Sequence, residues 1–287
     1  MKKNIFVLLV LLISLGLYAQ KKEAYVIYKS NARKISYKRM LKKLPKAQVV
    51  LFGEYHNNPI SHWLQLEIAK DLKKKGVPLS IGAEMFETDQ QEFINLYVKD
   101  SISADEFEQK MRLWPNFTTD YQPLFEWAKQ NKVQWTATNV PRAFASKVYK
   151  EGGFEALEEL SENEKSWVAP LPIPYDKNLK TYKNMLELMG GEHANPDIVK
   201  AQAIKDATMA YFIWNNLKDE HLFLHLNGAY HSNFYEGIAW YLNQYAENIE
   251  IITLTTVEQK DIYTLDEEYK EIADYIICVP ESMTKTY

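Results

Sequence analysis

The sequence predicts an α/β protein: a mostly parallel central sheet flanked by helices, with a helical insertion forming a lid. Two observations carry this reading. Short runs rich in Val, Ile, Leu and aromatics alternate with longer amphipathic stretches, as βαβ units require. One interval, Asn139 to Leu217, is far longer than a crossover between parallel strands needs, so it holds extra helices.

In chain order, Lys2 and Lys3 precede an apolar stretch from Ile5 to Leu17 that leads into Tyr18-Ala19-Gln20. This is the pattern of a secretory signal peptide, spanning 1–19 and cleaved near Ala19. The run is shorter than the ~20 residues of a membrane span. Residues 20–287 are therefore expected to be one exported, periplasmic or envelope-associated domain. The single cysteine, Cys278, is not placed for lipid attachment and lies in an apolar segment, so it is expected to be buried. A net charge of -4 without a basic block argues against nucleic acid as a partner.

Strands are predicted at Tyr25 to Tyr28, Val49 to Gly53, Leu79 to Met85, Val133 to Thr138, Leu222 to Asn227, Ile249 to Leu254 and Tyr275 to Val279. Between them, Pro59 to Leu72 carries Trp63, Leu64, Leu66, Ile68, Ala69 and Leu72 at helical spacing, and Gly76 and Pro78 end it. A second helix runs from Asp197 to about Leu217. The insertion, about 141–196, holds the stiff connector Pro170 to Tyr175, a helix near Lys177 to Leu188 and a turn from Gly190 to Pro196.

Ligands of open parallel sheets bind beyond the carboxyl ends of the strands. Four strand ends deliver polar residues there: Glu54-Tyr55-His56, Glu84 with Glu87, Asn139-Val-Pro-Arg142, and Gly228-Ala-Tyr-His231. His56, His231 and Glu84 have the donor chemistry of a divalent metal site with room for water or substrate. Gly53 and Gly228 are read as sharp-turn residues that let the backbone approach a ligand. Glu84 lies in an apolar strand, so its carboxylate needs a partner. Arg142 suits a carboxylate. Gln202 and Asp206 share a helix face and either support the rim or form a polar surface stripe. His62 and His221 read as surface residues, and His225 as a core histidine with satisfied hydrogen bonds. Leu179, Tyr182, Leu186 and Met189 recur at helical spacing, with Tyr175 before them and His193 after. This stripe is either core or a wall for a flat aromatic ligand.

With these residues in place, the chain resembles the ChaN-like haem-binding uptake family, within a group that includes Tiki and TraB proteins and, more remotely, erythromycin esterases. The carriers are Leu51-Phe-Gly-Glu-Tyr-His-Asn57, Gly82-Ala-Glu-Met-Phe86, Asn139-Val-Pro-Arg142, Ala201 to Ala210, and Gly228-Ala-Tyr-His231. The resemblance implies an exported homodimer that holds haem, with a tyrosine ligand and two haems sandwiched between subunits, serving haem-uptake machinery. Tyr175 and Tyr182 are the tyrosines proposed as ligand, His193 a partner across the dimer, and Tyr121 a further candidate. Tiki proteins use paired Gly-x-x-His elements for metal-dependent proteolysis. The alternative is therefore a metal-dependent hydrolase or peptidase using His56, His231 and Glu84 as ligands, with Glu54 and Arg142 in catalysis and Asn139, Gln202 and Asp206 supporting them.

Overall fold

In the computed structural model, residues 22–191 and 194–287 are described; the expected signal peptide and His193 lie outside them. Seven strands form one sheet: β1 (Val26–Lys29), β2 (Val49–Glu54), β3 (Leu79–Glu87), β4 (Gln134–Asn139), β5 (Leu222–Gly228), β6 (Ile251–Gln259) and β7 (Tyr275–Pro280). Their order is β1-β7-β6-β2-β5-β3-β4, parallel throughout except for β1, which runs antiparallel to β7. The helices are α1 (Tyr37–Leu41), α2 (Pro59–Lys74), α3 (Gln91–Val98), α4 (Ala104–Lys110), α5 (Gln122–Gln130), α6 (Arg142–Lys150), α7 (Glu162–Lys165), α8 (Lys180–Leu188), α9 (Asp197–Asn215) and α10 (Ile238–Tyr245).

The central strands are apolar on both faces because helices cover both. Val50, Phe52, Ile81, Ala83, Leu224 and Leu226 join one core with Leu64, Ile68 and Leu72 of α2 and Phe125 of α5. Val49, Leu51 and Phe223 join a second core with residues of α6, α9 and α10. Alternation along β2 therefore directs Glu54, two residues after Phe52, toward the first face. The same alternation along β3 places Glu84 with Gly82 on the second.

The chain leaves β2 through α2 on the first face to reach β3, and leaves β5 through α10 on the second face to reach β6. Between the adjacent strands β2 and β5 the connections diverge, which opens a crevice at their carboxyl ends. Local chemistry fixes the exit from β2: Pro59 occupies the first turn of α2, and the Asn58 side chain accepts from Ile60 N at 3.0 Å and Ser61 N at 3.2 Å.

The insertion is only partly a lid. Val148, Leu157, Leu160, Val168 and Ile173 are buried in the second core, so much of it covers the sheet as an ordinary layer. Helix α8 reaches the crevice. Its first turn has no side-chain cap of its own; instead the Glu236 carboxylate accepts from Lys180 N at 2.8 Å, Thr181 N at 2.6 Å and Thr181 Oγ1 at 2.7 Å. Replacing Glu236 with alanine removes these acceptors and should cost the lid about 0.5–2 kcal/mol, the range of a lost cap. Amide exchange is expected to quicken across α8 while the sheet stays protected. Unchanged exchange in α8 would show that the carboxylate does not tether it.

Candidate functional site

Glu54 ends β2 fully buried, and three side chains fix its carboxylate. The Tyr121 hydroxyl donates to Oε1 at 2.7 Å, Gln65 donates to Oε2, and His56 Nδ1 lies 2.9 Å from Oε1. Tyr121 ends a single π-helical turn, Phe117–Tyr121, an uncommon conformation that concentrates at functional sites. With Nδ1–H directed at Glu54, the His56 ring presents Nε2 to the crevice. Burial alone would lower the imidazole pKa, but the Glu54 hydrogen bond and the charges of Glu84 and Glu54 outweigh it and raise it.

A second layer lies behind this pair. His62 is buried, with Nε2 3.1 Å from the His56 carbonyl oxygen and 3.4 Å from Asp120 Oδ2, and with Nδ1 3.6 Å from Glu54 Oε2. Asn116 donates to the same carbonyl at 2.9 Å and to Asp120 at 2.6 Å. The surface position expected for His62 is thus corrected. Its place on α2 faces inward, toward the strand-end residues Glu54 and His56 and the sequence-distant Asp120.

On the other face, Glu84 accepts the Gly228 backbone N–H at 2.7 Å and lies 3.2 Å from His231 Nε2. His231 Nδ1 donates to Asp206 Oδ1, and the Tyr182 hydroxyl donates to Asp206 Oδ2 at 3.1 Å. The Gln202 amide lies 2.9 Å from His231 Nδ1, and Asn139 donates to the Glu84 carbonyl at 3.0 Å. Burial disfavours the imidazolium of His231, yet two flanking carboxylates overcome this and push its pKa up to about 10. Burial likewise opposes ionisation of Glu84, but His231 holds its carboxyl well below the usual range. One acid–histidine pair therefore arrives from each face of the sheet.

The two Gly-x-x-His elements fit into each other. A β-carbon on Gly228 would stand 2.8 Å from His56 Nε2, and one on Gly53 would stand 3.0 Å from Ala229 Cα. Gly228 has an ordinary backbone, φ -59° and ψ 143°. The expected role in a sharp turn is corrected for Gly228: both glycines make room for the opposite motif.

The crevice has a volume of about 700 Å³, within the range of small-molecule sites. Glu54, His56, Glu84, Asn139, Arg142 and His231 line it from the strand ends and the segments that follow them, and Gln202 lines it from α9. Asp206 lies behind His231. Trp114, Tyr55, Tyr230 and Met185 supply its apolar walls, and Arg112 and Lys205 are further cations. His56 meets the Trp114 ring edge to face at 4.9 Å.

The tyrosines proposed as iron ligands are placed differently. Tyr121 and Tyr182 are buried with their hydroxyls bound to Glu54 and Asp206, and neither lines the crevice. Burial and these carboxylates raise both phenol pKa values far above normal, which opposes phenolate formation. Tyr175 stacks on Tyr182 at 5.9 Å, packed partly buried against a small core, and does not line the crevice. The tyrosines that do line it are Tyr55 and Tyr230, each the residue before the histidine of its motif. That repeated Tyr-His pair was the available signal.

The metal-ligand expectation for His56, His231 and Glu84 also changes. Among the described residues no group of three or more His, Cys, Asp or Glu is arranged to hold a metal ion. Both His231 nitrogens face carboxylates, and both Glu84 oxygens have partners. His225 is a core residue as read: Nε2 lies 2.8 Å from Thr138 Oγ1, and burial lowers its pKa to about 4.

Comparison with known proteins places this geometry. The structure superposes on that of cofacial haem binding to ChaN of Campylobacter jejuni with a TM-score of 0.68 and 19% identity, covering 90% of this chain and 98% of that one. A segment of 140 residues is 29% identical to Protein RETICULATA-RELATED 5, chloroplastic, of Arabidopsis thaliana, covering 46% of this chain; this chain spans 18% of that relative's length. The family model for haem-binding uptake, Tiki superfamily, ChaN matches residues 40–242 and so takes in both interlocked motifs. The chain belongs to the ChaN family of haem-binding uptake proteins.

Proposed function

We propose that this protein binds haem in the crevice between the carboxyl ends of β2 and β5, as an exported component of haem or iron acquisition that works as a homodimer. The observation that carries the reading is the pair of crevice tyrosines, Tyr55 and Tyr230, in a chain of the ChaN family. Among the described residues neither phenol makes a hydrogen bond, in contrast to Tyr121 and Tyr182. Tyr230 is also half exposed, whereas burial pushes Tyr55 up to about 12.

The lining fits the group. Trp114, Met185 and the two tyrosines offer apolar and aromatic surface for a flat macrocycle, and Tyr230 offers an oxygen ligand of a type known for haem iron. Haem bound here would supply iron porphyrin as cargo. The chain's own residues would do the holding: Tyr230 would supply the oxygen ligand, the aromatic wall would exclude water, and His56, fixed by Glu54, would offer a ring nitrogen to the crevice. Export, participation in uptake and dimerisation rest on the leader-like sequence and on the family. Among the described residues no helix is long and apolar enough to cross a membrane.

Titrating the apoprotein with haemin is expected to give a saturable shift of the Soret band. Tyr230→Phe should change the band position or its intensity, while Tyr175→Phe should leave both unchanged. Absence of a saturable shift in the parent protein would refute the haem reading; an unaltered spectrum in Tyr230→Phe would refute the ligand.

A further inference from the structure

The charges of the crevice do not sum evenly. Glu54 is held by His56, Tyr121 and Gln65, and Glu84 by His231 and the Gly228 N–H. Glu87, the third carboxylate of the lining, is paired with Arg112 at 2.7 Å. Arg112 is further engaged by Asp89. Every acidic group in the wall thus has an internal counter-charge or donor. Two lining cations remain, Arg142 at the start of α6 and Lys205 on α9, and neither forms an ion pair or hydrogen bond among the described residues. Helices α6 and α9 pack against each other in the second core, so both cations belong to one side of the crevice.

We infer that Arg142 and Lys205 form a carboxylate subsite that recognises the propionate groups of the porphyrin, a proposal that rests on the haem reading above. The wall on the other face contains the carboxylate Glu54, whereas Glu84, on the same face as α6 and α9, is already matched by His231 and the Gly228 N–H. The ligand is thereby oriented: its carboxylate edge turns toward α6 and α9, and its apolar body toward Trp114 and Tyr55. Arg142 can engage a carboxylate through two parallel N–H donors, whereas Lys205 acts as a point charge. The subsite therefore selects free-acid porphyrins over esterified ones of the same shape.

The experiment compares haemin with iron protoporphyrin dimethyl ester, titrated into apoprotein in the same detergent and followed by absorbance and by quenching of tryptophan fluorescence. The parent protein is expected to prefer haemin about tenfold or more, the effect of roughly 1.4 kcal/mol. Arg142→Ala and Lys205→Ala should each weaken haemin binding and leave ester binding unchanged. The double variant should bind both porphyrins equally, and the pair Arg142→Lys with Lys205→Arg should retain a preference. Ester binding serves as the check that each variant is folded. Equal affinity of the parent protein for the two porphyrins, or undiminished haemin binding by the double variant, overturns the subsite and leaves the haem reading standing. Failure of the parent protein to bind either porphyrin overturns both.

Discussion

Replacing Asp206 with alanine is expected to lower the unfolding free energy by about 3–5 kcal/mol, the cost of removing one partner from a buried ion pair. Asp206 is wholly buried and joins His231 to Tyr182, so its loss leaves an imidazolium with one carboxylate and a buried phenol without its carboxylate acceptor. Urea denaturation followed by tryptophan fluorescence measures the change. A loss below about 1 kcal/mol would show that the network does not depend on this carboxylate, since surface pairs are worth that little.

Asp206→Asn makes a finer test, through pH. The His231 pKa is raised, so its contribution is complete below the unfolded imidazole value near 6.5 and is lost as pH rises through about 10. Glu84 is depressed, so its contribution is present above the unfolded carboxyl value near 4.3 and is lost as pH falls below that. Together they stabilise most between roughly pH 4.5 and 6.5. In Asp206→Asn the alkaline loss should begin about 1–3 units lower, because one of the two charges sustaining the imidazolium is gone. Superimposable alkaline profiles for the two proteins would contradict the ion-pair assignment.

Gly237→Ala is expected to be the most damaging single-methyl change on the rim. Gly237 adopts φ 54° and ψ -120°, a combination that side chains disfavour. A β-carbon there would overlap the His231 carbonyl oxygen, stand 2.9 Å from the His231 carbonyl carbon and lie 3.3 Å from Asp206 Cγ. Strain and overlap each cost of order 1–3 kcal/mol. The displacement passes directly to His231 and, through the adjacent Glu236, to α8. A fall in melting temperature accompanied by weaker haemin binding is the expected result. A stable variant with unaltered binding would mean that the turn relaxes without moving the histidine.

Much of the framework was readable because β strands of a covered sheet are short apolar runs. All seven were found from such runs, including β2, β3 and β5, whose ends build the crevice. β6 extends to Gln259, beyond the predicted Leu254, because Thr255, Thr256 and Glu258 interrupt the apolar pattern while still pairing with β7. The antiparallel direction of β1 has no local signature. At the site, Glu54, Glu84, His56 and His231 were legible as polar residues stationed at apolar strand ends. Their mutual pairing was not, since the same residue types serve a metal ion or an ion pair, and only distances distinguish these. His62 was hidden by its helix, and Tyr55 and Tyr230 by the more conspicuous stripe of α8, of which Tyr182 is buried against α9, Leu179 and Leu186 are partly covered and Met189 is exposed.

The nesting of Gly53 against Ala229 and of Gly228 against His56 bears on how this crevice can be altered by recombination. A loop grafted from a distant homologue after β2 would bring a histidine shaped for that homologue's own β5 turn, and the reverse graft would fail at the same contact. The two segments are separated by most of the domain in sequence, yet they form a single heritable unit. Chimeras of this fold should therefore exchange them together.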